Sequence, residues 1–115
     1  MSGPQNASGI PEEIAASLCA CGGIGGLEAV LPSDAELERL AARHRALADP
    51  IRLRIVAMLR VQPLCVCVIR EVLGIADSRL SYHLGVLKKA GLITGEQQGS
   101  WIIYSLTAEG AAACL

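Results

Sequence analysis

The hydrophobic period changes once along this chain, and that change confines the fold. Residues 77–91, "DSRLSYHLGVLKKAG", repeat apolar side chains at helical spacing, whereas residues 92–107, "LITGEQQGSWIIYSLT", alternate. At about 100° per residue, Leu84 and Leu87 fall within roughly 40° of Leu80, and the three form a core stripe. Asp77 or Ser78 is expected to cap this helix, and Gly91 to end it at C′. "LIT" and "WIIYSLT", joined by a turn region over Gly95–Gly99, read as a β-hairpin.

Upstream, Pro11 opens a short helix over "PEEIAASLCAC", and "GGIGG" at 22–26 ends it as a flexible joint. Pro32, Ser33 and Asp34 offer caps for a helix through about Ala48, with Leu37, Leu40, Ala41, His44 and Leu47 on one face. Asp49-Pro50 restarts the chain as cap and first-turn proline, and Ile51, Ile55 and Leu59 share the next apolar face. Gln62-Pro63 breaks that helix. "CVCVIREVLG" is a further helix stopped at Gly74, and "AEGAAACL" is a last, weak one. The chain therefore divides into a flexible N-terminal arm, 1–32, carrying Cys19 and Cys21, and a domain, 33–115. In that domain four helices, a hairpin and a short helix follow one another. This is the outline of a winged helix-turn-helix: α+β, mostly α, with a two-stranded β-wing.

At 115 residues and 52% hydrophobic, the chain can bury one core but leaves much apolar surface, so a homodimer is expected. No run of about 20 apolar residues is present, so nothing is expected to span a membrane. The N-terminus lacks a basic stretch and carries Glu12 and Glu13, which does not fit a secretory signal; a cytoplasmic location is expected.

The net charge of −1 hides an asymmetry. Residues 1–49 hold three basic and seven acidic residues (−4), and residues 50–104 hold seven basic and three acidic ones (+4). The middle of the chain can face an anion. On the helix after Ala76, the face opposite the core stripe carries Ser78, Tyr82, Gly85 and Lys89, flanked by Arg79 on one side and by Ser81 and Lys88 on the other. Such side chains donate to base edges and phosphates. The hairpin tip adds Gln97, Gln98 and Ser100, while Trp101 is expected to pack.

Five cysteines, an odd number, do not make a disulfide framework in a reducing compartment, so paired thiols point to metal or redox chemistry. Cys65 and Cys67 lie one residue apart. In a regular helix their side chains would project about 200° apart; in extended backbone they point the same way. One ion bound at about 2.3 Å from each sulfur requires the helix to start between them, or its first turn to distort.

"ALADPIRLRIVAMLR", "LCVC", "SRLSYHLGVLKKAGLI" and "GSWIIYSL" together resemble the ArsR/SmtB family of metal-responsive winged-helix repressors, over about residues 35–107. The resemblance implies a homodimer that binds double-stranded operator DNA and leaves it when metal binds, with a recognition helix at 77–90 and a wing at 93–105. It implies DNA contacts at Ser81, Tyr82 and His83, with Arg79 and Gln97 behind them; His83 sits nearer the core flank of the wheel. It implies Cys65 and Cys67 as metal ligands. Where some relatives carry a third cysteine this chain has Arg70, and where an acidic residue often follows it has Val68. Cys19 and Cys21 are the candidates to complete the site, and Cys114 is a weaker one. Three thiolates suit As(III) or Sb(III), and four suit Cd(II), Zn(II) or Pb(II). The last helix has Glu109 but no His, so the family's other zinc site is not expected there.

Two other classes remain to be weighed. A thiol redox sensor on the same fold would pair 19/21 with 65/67. An enzyme has little support: His44 and His83 are the chain's two histidines, neither lies in a nucleophile motif, and no small-molecule substrate is expected.

Overall fold

The computed structural model describes residues 9–18 and 22–113. The chain divides into two compact units, 1–34 and 35–115. The first unit holds α1, Glu12–Ala16, and α2, Gly23–Ala29. "GGIGG" is thus no loose joint. Gly22 takes a left-handed φ of 86° as N-cap, and the remaining glycines enter a helix carried on by Leu27, Glu28 and Ala29.

Helix α3 spans Asp34–Leu47, from the last residue of the first unit into the second, and α4 spans Pro50–Leu59. Asp49 joins them. Its carboxylate accepts from the Ile51 and Arg52 N–H groups at 2.8 and 3.2 Å, and Pro50 supplies the preset φ of a first helical residue. Partial burial pushes the Asp49 carboxyl up, but those donors, with the charge of Arg52, outweigh it and hold it below the usual carboxylate range.

Pro63 ends the run after α4, and the chain extends through β1, Leu64–Cys65, before α5, Val66–Leu73. Gly74 closes α5 in the left-handed region. Helix α6, Asp77–Lys89, is capped at Ala76 with no side-chain cap. Asp77 and Ser78 therefore do not cap it. Asp77 lies in the first turn, where its carboxylate accepts from Arg70 at 3.2 Å. At its other end the Gly91 N–H reaches the Lys88 carbonyl and the Leu92 N–H reaches that of Leu87, a Schellman closure that needs the φ of 78° at Gly91.

Strands β2, Ile93–Gln98, and β3, Trp101–Leu106, form the wing. The expected turn over residues 95–99 is shorter, with only Gly99 and Ser100 between the strands. Gly95 lies inside β2 opposite Tyr104, whose ring occupies the space a Cβ would need. The sheet has three strands rather than two, in the order β1-β3-β2, because Leu64 and Cys65 pair with Tyr104 and Ile103. Helix α7, Ala108–Ala111, is shorter than expected and is capped by the Thr107 hydroxyl, which accepts the Gly110 N–H.

The core is built from Ile55, Val56 and Leu59 of α4, Ile69 of α5, Leu80, Leu84 and Leu87 of α6, then Leu92, Ile93 and Tyr104. The α6 stripe is as the wheel places it. On α3 only Ala46 is buried, and Leu37 and Leu40 are 46% and 40% exposed.

Candidate metal and nucleic-acid site

Cys65 and Cys67 converge because α5 starts between them. Cys65 is the extended N-cap, at φ −64° and ψ 145°, and Cys67 is already in the first turn. Pairing of Cys65 with Ile103 of β3 fixes the extended residue in place. The two sulfurs are 2.8 Å apart, with the Cys67 thiol donating to Cys65 Sγ, and the Cys67 N–H also donates to that sulfur at 3.4 Å. Both side chains are half-buried free thiols. The Cys67 thiol and N–H favour the Cys65 thiolate and lower its pKa, helped by the charge of Arg70. Donation to Cys65 raises that of Cys67, and partial burial adds to this. The pair thus offers one sulfur poised to ionise beside one that holds its proton. Two convergent soft donors fit a thiophilic ion without the distorted turn that a regular helix would require.

Among the described residues no group of three or more His, Cys, Asp or Glu side chains is placed to hold a metal. Cys19, Cys21 and Cys114 lie outside the described residues.

The expected DNA-facing side chains share one exposed surface of α6. Ser78, Arg79, Ser81, Tyr82, Gly85, Lys88 and Lys89 are all exposed, Tyr82 by 63%. Among the described residues Arg79, Lys88 and Lys89 have no ion-pair partner. Gln97 is exposed on the wing, its amide donating to the Gly99 carbonyl at 2.9 Å. Trp101, expected to pack, is 56% exposed at the wing tip, because its position opposite Gln98 lies beyond the core.

His83 corrects the reading made from the sequence. It is 5% exposed and turns inward, away from the surface shared by its neighbours. Its Nδ1 lies 3.1 Å from Arg52 Nη1 and 4.0 Å from the Asp49 carboxylate. The available signal was its place on the core flank of the wheel, with the Asp49-x-x-Arg52 spacing at the start of α4.

A helix pair that presents an exposed basic face, with a β-hairpin wing beside it, defines the class of winged helix-turn-helix DNA-binding regulators. The family profile described as "Bacterial regulatory protein, arsR family" matches residues 49–94. The chain is 40% identical over 74 residues to the arsenical resistance operon repressor of Bacillus subtilis (strain 168), covering 64% of this chain and 70% of that protein. It is 41% identical over 68 residues to the HTH-type transcriptional regulator NmtR of Mycobacterium tuberculosis, covering 59% of this chain and 57% of that one. Among solved structures, the homodimeric winged helix-turn-helix DNA-binding domain of Mb0332 from Mycobacterium bovis, a possible ArsR-family regulator, superposes with a TM-score of 0.64. It shares 29% identity and covers 72% of this chain and 80% of that one. The chain belongs to the ArsR family, whose members are transcriptional regulators rather than enzymes.

Proposed function

We propose that the chain is a metal(loid)-released repressor that binds double-stranded operator DNA as a homodimer in the cytoplasm. The observation that carries the reading is the start of α5 between Cys65 and Cys67, which brings their sulfurs to 2.8 Å. Cys65 and Cys67 are ligands, and Cys19 or Cys21 completes a three-sulfur site for As(III) or Sb(III). A four-cysteine site would take Cd(II), Pb(II) or Zn(II) instead. The relative named as an arsenical resistance operon repressor supports an inducer of this kind.

The pair is wired to both DNA-facing elements. Cys65 belongs to β1, laddered onto β3 of the wing, and α5 leads directly into α6. Drawing the sulfurs around an ion would shift the start of α5 against both. The Arg70–Asp77 pair spans the same junction, but its side chains are 48% and 76% exposed, so it adds little energy of its own. Dimerisation is supported by the exposed Leu37 and Leu40 of α3 and by the homodimeric Mb0332 domain.

The test is DNA binding titrated with As(III), Sb(III), Cd(II), Pb(II) and Zn(II), with sedimentation of the free chain. Release by at least one of these ions from a dimer is expected; a chain that sediments as a monomer while still binding operator counts against the dimer. Release by peroxide alone, with the ions inert, would favour the redox sensor on the same fold.

The DNA face has its own expected outcome. Tyr82→Ala weakens specific binding by about 1–3 kcal/mol if the ring reads a base, with the fold retained because the side chain is exposed. Lys89→Ala weakens binding to all sequences and flattens the salt dependence. Fluorescence anisotropy on specific and random duplexes at several salt concentrations separates the two. Unchanged affinity in both folded variants removes α6 as the reading helix.

A further inference from the structure

We infer that Arg52, acting through the buried ring of His83, is the positioning residue that sets how α6 sits on the end of α3 and the start of α4. The inference rests on α6 being the DNA-reading helix.

Arg52 joins three helices. Its Nε donates to the Ala46 carbonyl at 2.6 Å and its Nη2 to that of Arg45 at 3.4 Å, both in the last turn of α3. Those carbonyls belong to the end of a helix, where intrahelical partners run out and positive charge is favoured. Its own N–H is held by Asp49, the cap of α4. Its Nη1 reaches His83 Nδ1, near the middle of α6. A guanidinium carries its donors in a fixed fork, so satisfying both ends at once fixes the distance between α3 and α6. Tyr82 and Arg79 project from the same helix, so the placement of this one contact reaches the DNA face directly.

The contact also fixes the tautomer of the ring. A guanidinium only donates, so Nδ1 must accept, and the ring N–H is on Nε2. Arg45, Arg52 and Lys89 line the adjoining hollow between α3 and α6. The Tyr82 ring, from the same helix, meets the His83 ring in a T-shaped arrangement at 5.2 Å between centroids. Asp49 is the one carboxylate found near the ring among the described residues, at 4.0 Å, and its oxygen already accepts from Ile51 and Arg52.

The test compares the full chain with His83→Asn, His83→Leu and Arg52→Met, using a duplex that the wild-type chain selects from random DNA. Asparagine places a carbonyl oxygen near the position of Nδ1 and so keeps an acceptor for Arg52. His83→Asn should bind within about threefold of the wild type at neutral pH. His83→Leu and Arg52→Met should lose about tenfold in affinity while folded, and the double variant should lose no more than either alone.

Nitrogen NMR of the free protein should show His83 with its proton on Nε2, and amide exchange in α6 should speed up in His83→Leu but not in His83→Asn. If His83→Leu does not fold, the comparison of Arg52→Met with His83→Asn decides. Wild-type affinity in folded Arg52→Met overturns the inference, as does a tenfold loss in His83→Asn or a proton on Nδ1. If the wild-type chain selects no DNA, the regulator reading fails, and the ring tautomer and exchange rates still test the Arg52–His83 contact.

Discussion

Cys65→Ser and Cys67→Ser are each expected to abolish release from operator by As(III) while leaving binding of the metal-free protein near normal. The asymmetry follows from what serine keeps and what it loses. At position 65 the side chain caps α5 by accepting the Cys67 N–H, and serine is among the preferred residues for that place. At position 67 serine fits the same half-buried space. The helix therefore survives either change, and with it the packing of α6. What disappears is a soft thiolate donor, and a hydroxyl does not replace that for a thiophilic ion. Because both sulfurs face one point, losing either leaves a single ligand on the described part of the site. Removing Cys19 and Cys21 together should instead weaken metal affinity and lower the sulfur coordination number seen by X-ray absorption, with release partly retained. The deciding experiment is operator release by As(III) across the five single Cys→Ser variants. Release that survives loss of Cys65 or Cys67 but vanishes in Cys114→Ser would move the site to the C-terminal segment.

The geometry that makes this variant series informative was only half legible in the sequence. Helical projection shows that Cys65 and Cys67 converge only if a helix begins between them, and Pro63 shows that a helix ends just before. The two-residue strand that holds Cys65 extended has no pattern of its own; it exists because Tyr104 and Ile103 offer a free edge 38 or more residues later. The α6 core stripe was readable because three leucines at helical spacing leave one solution. The cap was not: Asp77 lies beside Arg70, and a contact across a chain turn outcompeted the local preference. "GGIGG" reads as a breaker from glycine content alone, yet Leu27, Glu28 and Ala29 carry the helix past it. His83 was misplaced for a related reason. A wheel ranks positions by angle and says nothing of which buried partner waits at the flank, and Arg52, 31 residues earlier, is that partner.

Ile69→Ala is expected to cost about 2–5 kcal/mol, a large part of the roughly 5–15 kcal/mol that holds a small domain folded. Ile69 is fully buried and is the one side chain of α5 that enters the core; Val66 and Leu73 pack only partly against it. At eight residues α5 has no stability of its own and depends on that anchor. Thermal unfolding should show the midpoint falling by more than about 10 °C, whereas Ile69→Val, losing one methylene, should cost only about 0.5–1.5 kcal/mol. The same helix carries Cys67, and its cap carries Cys65, so an ion that needs both sulfurs converged binds the folded α5 better than the unfolded chain. As(III) at about a hundredfold excess over its Kd then returns up to about 2.7 kcal/mol, less whatever the unfolded thiols capture. Ile69→Ala should therefore regain much of its midpoint with As(III), and Ile69→Ala combined with Cys65→Ser should regain almost none. An unchanged midpoint in Ile69→Ala would show that α5 is not anchored as described. Equal recovery with and without Cys65 would show that the ion stabilises the chain from somewhere else.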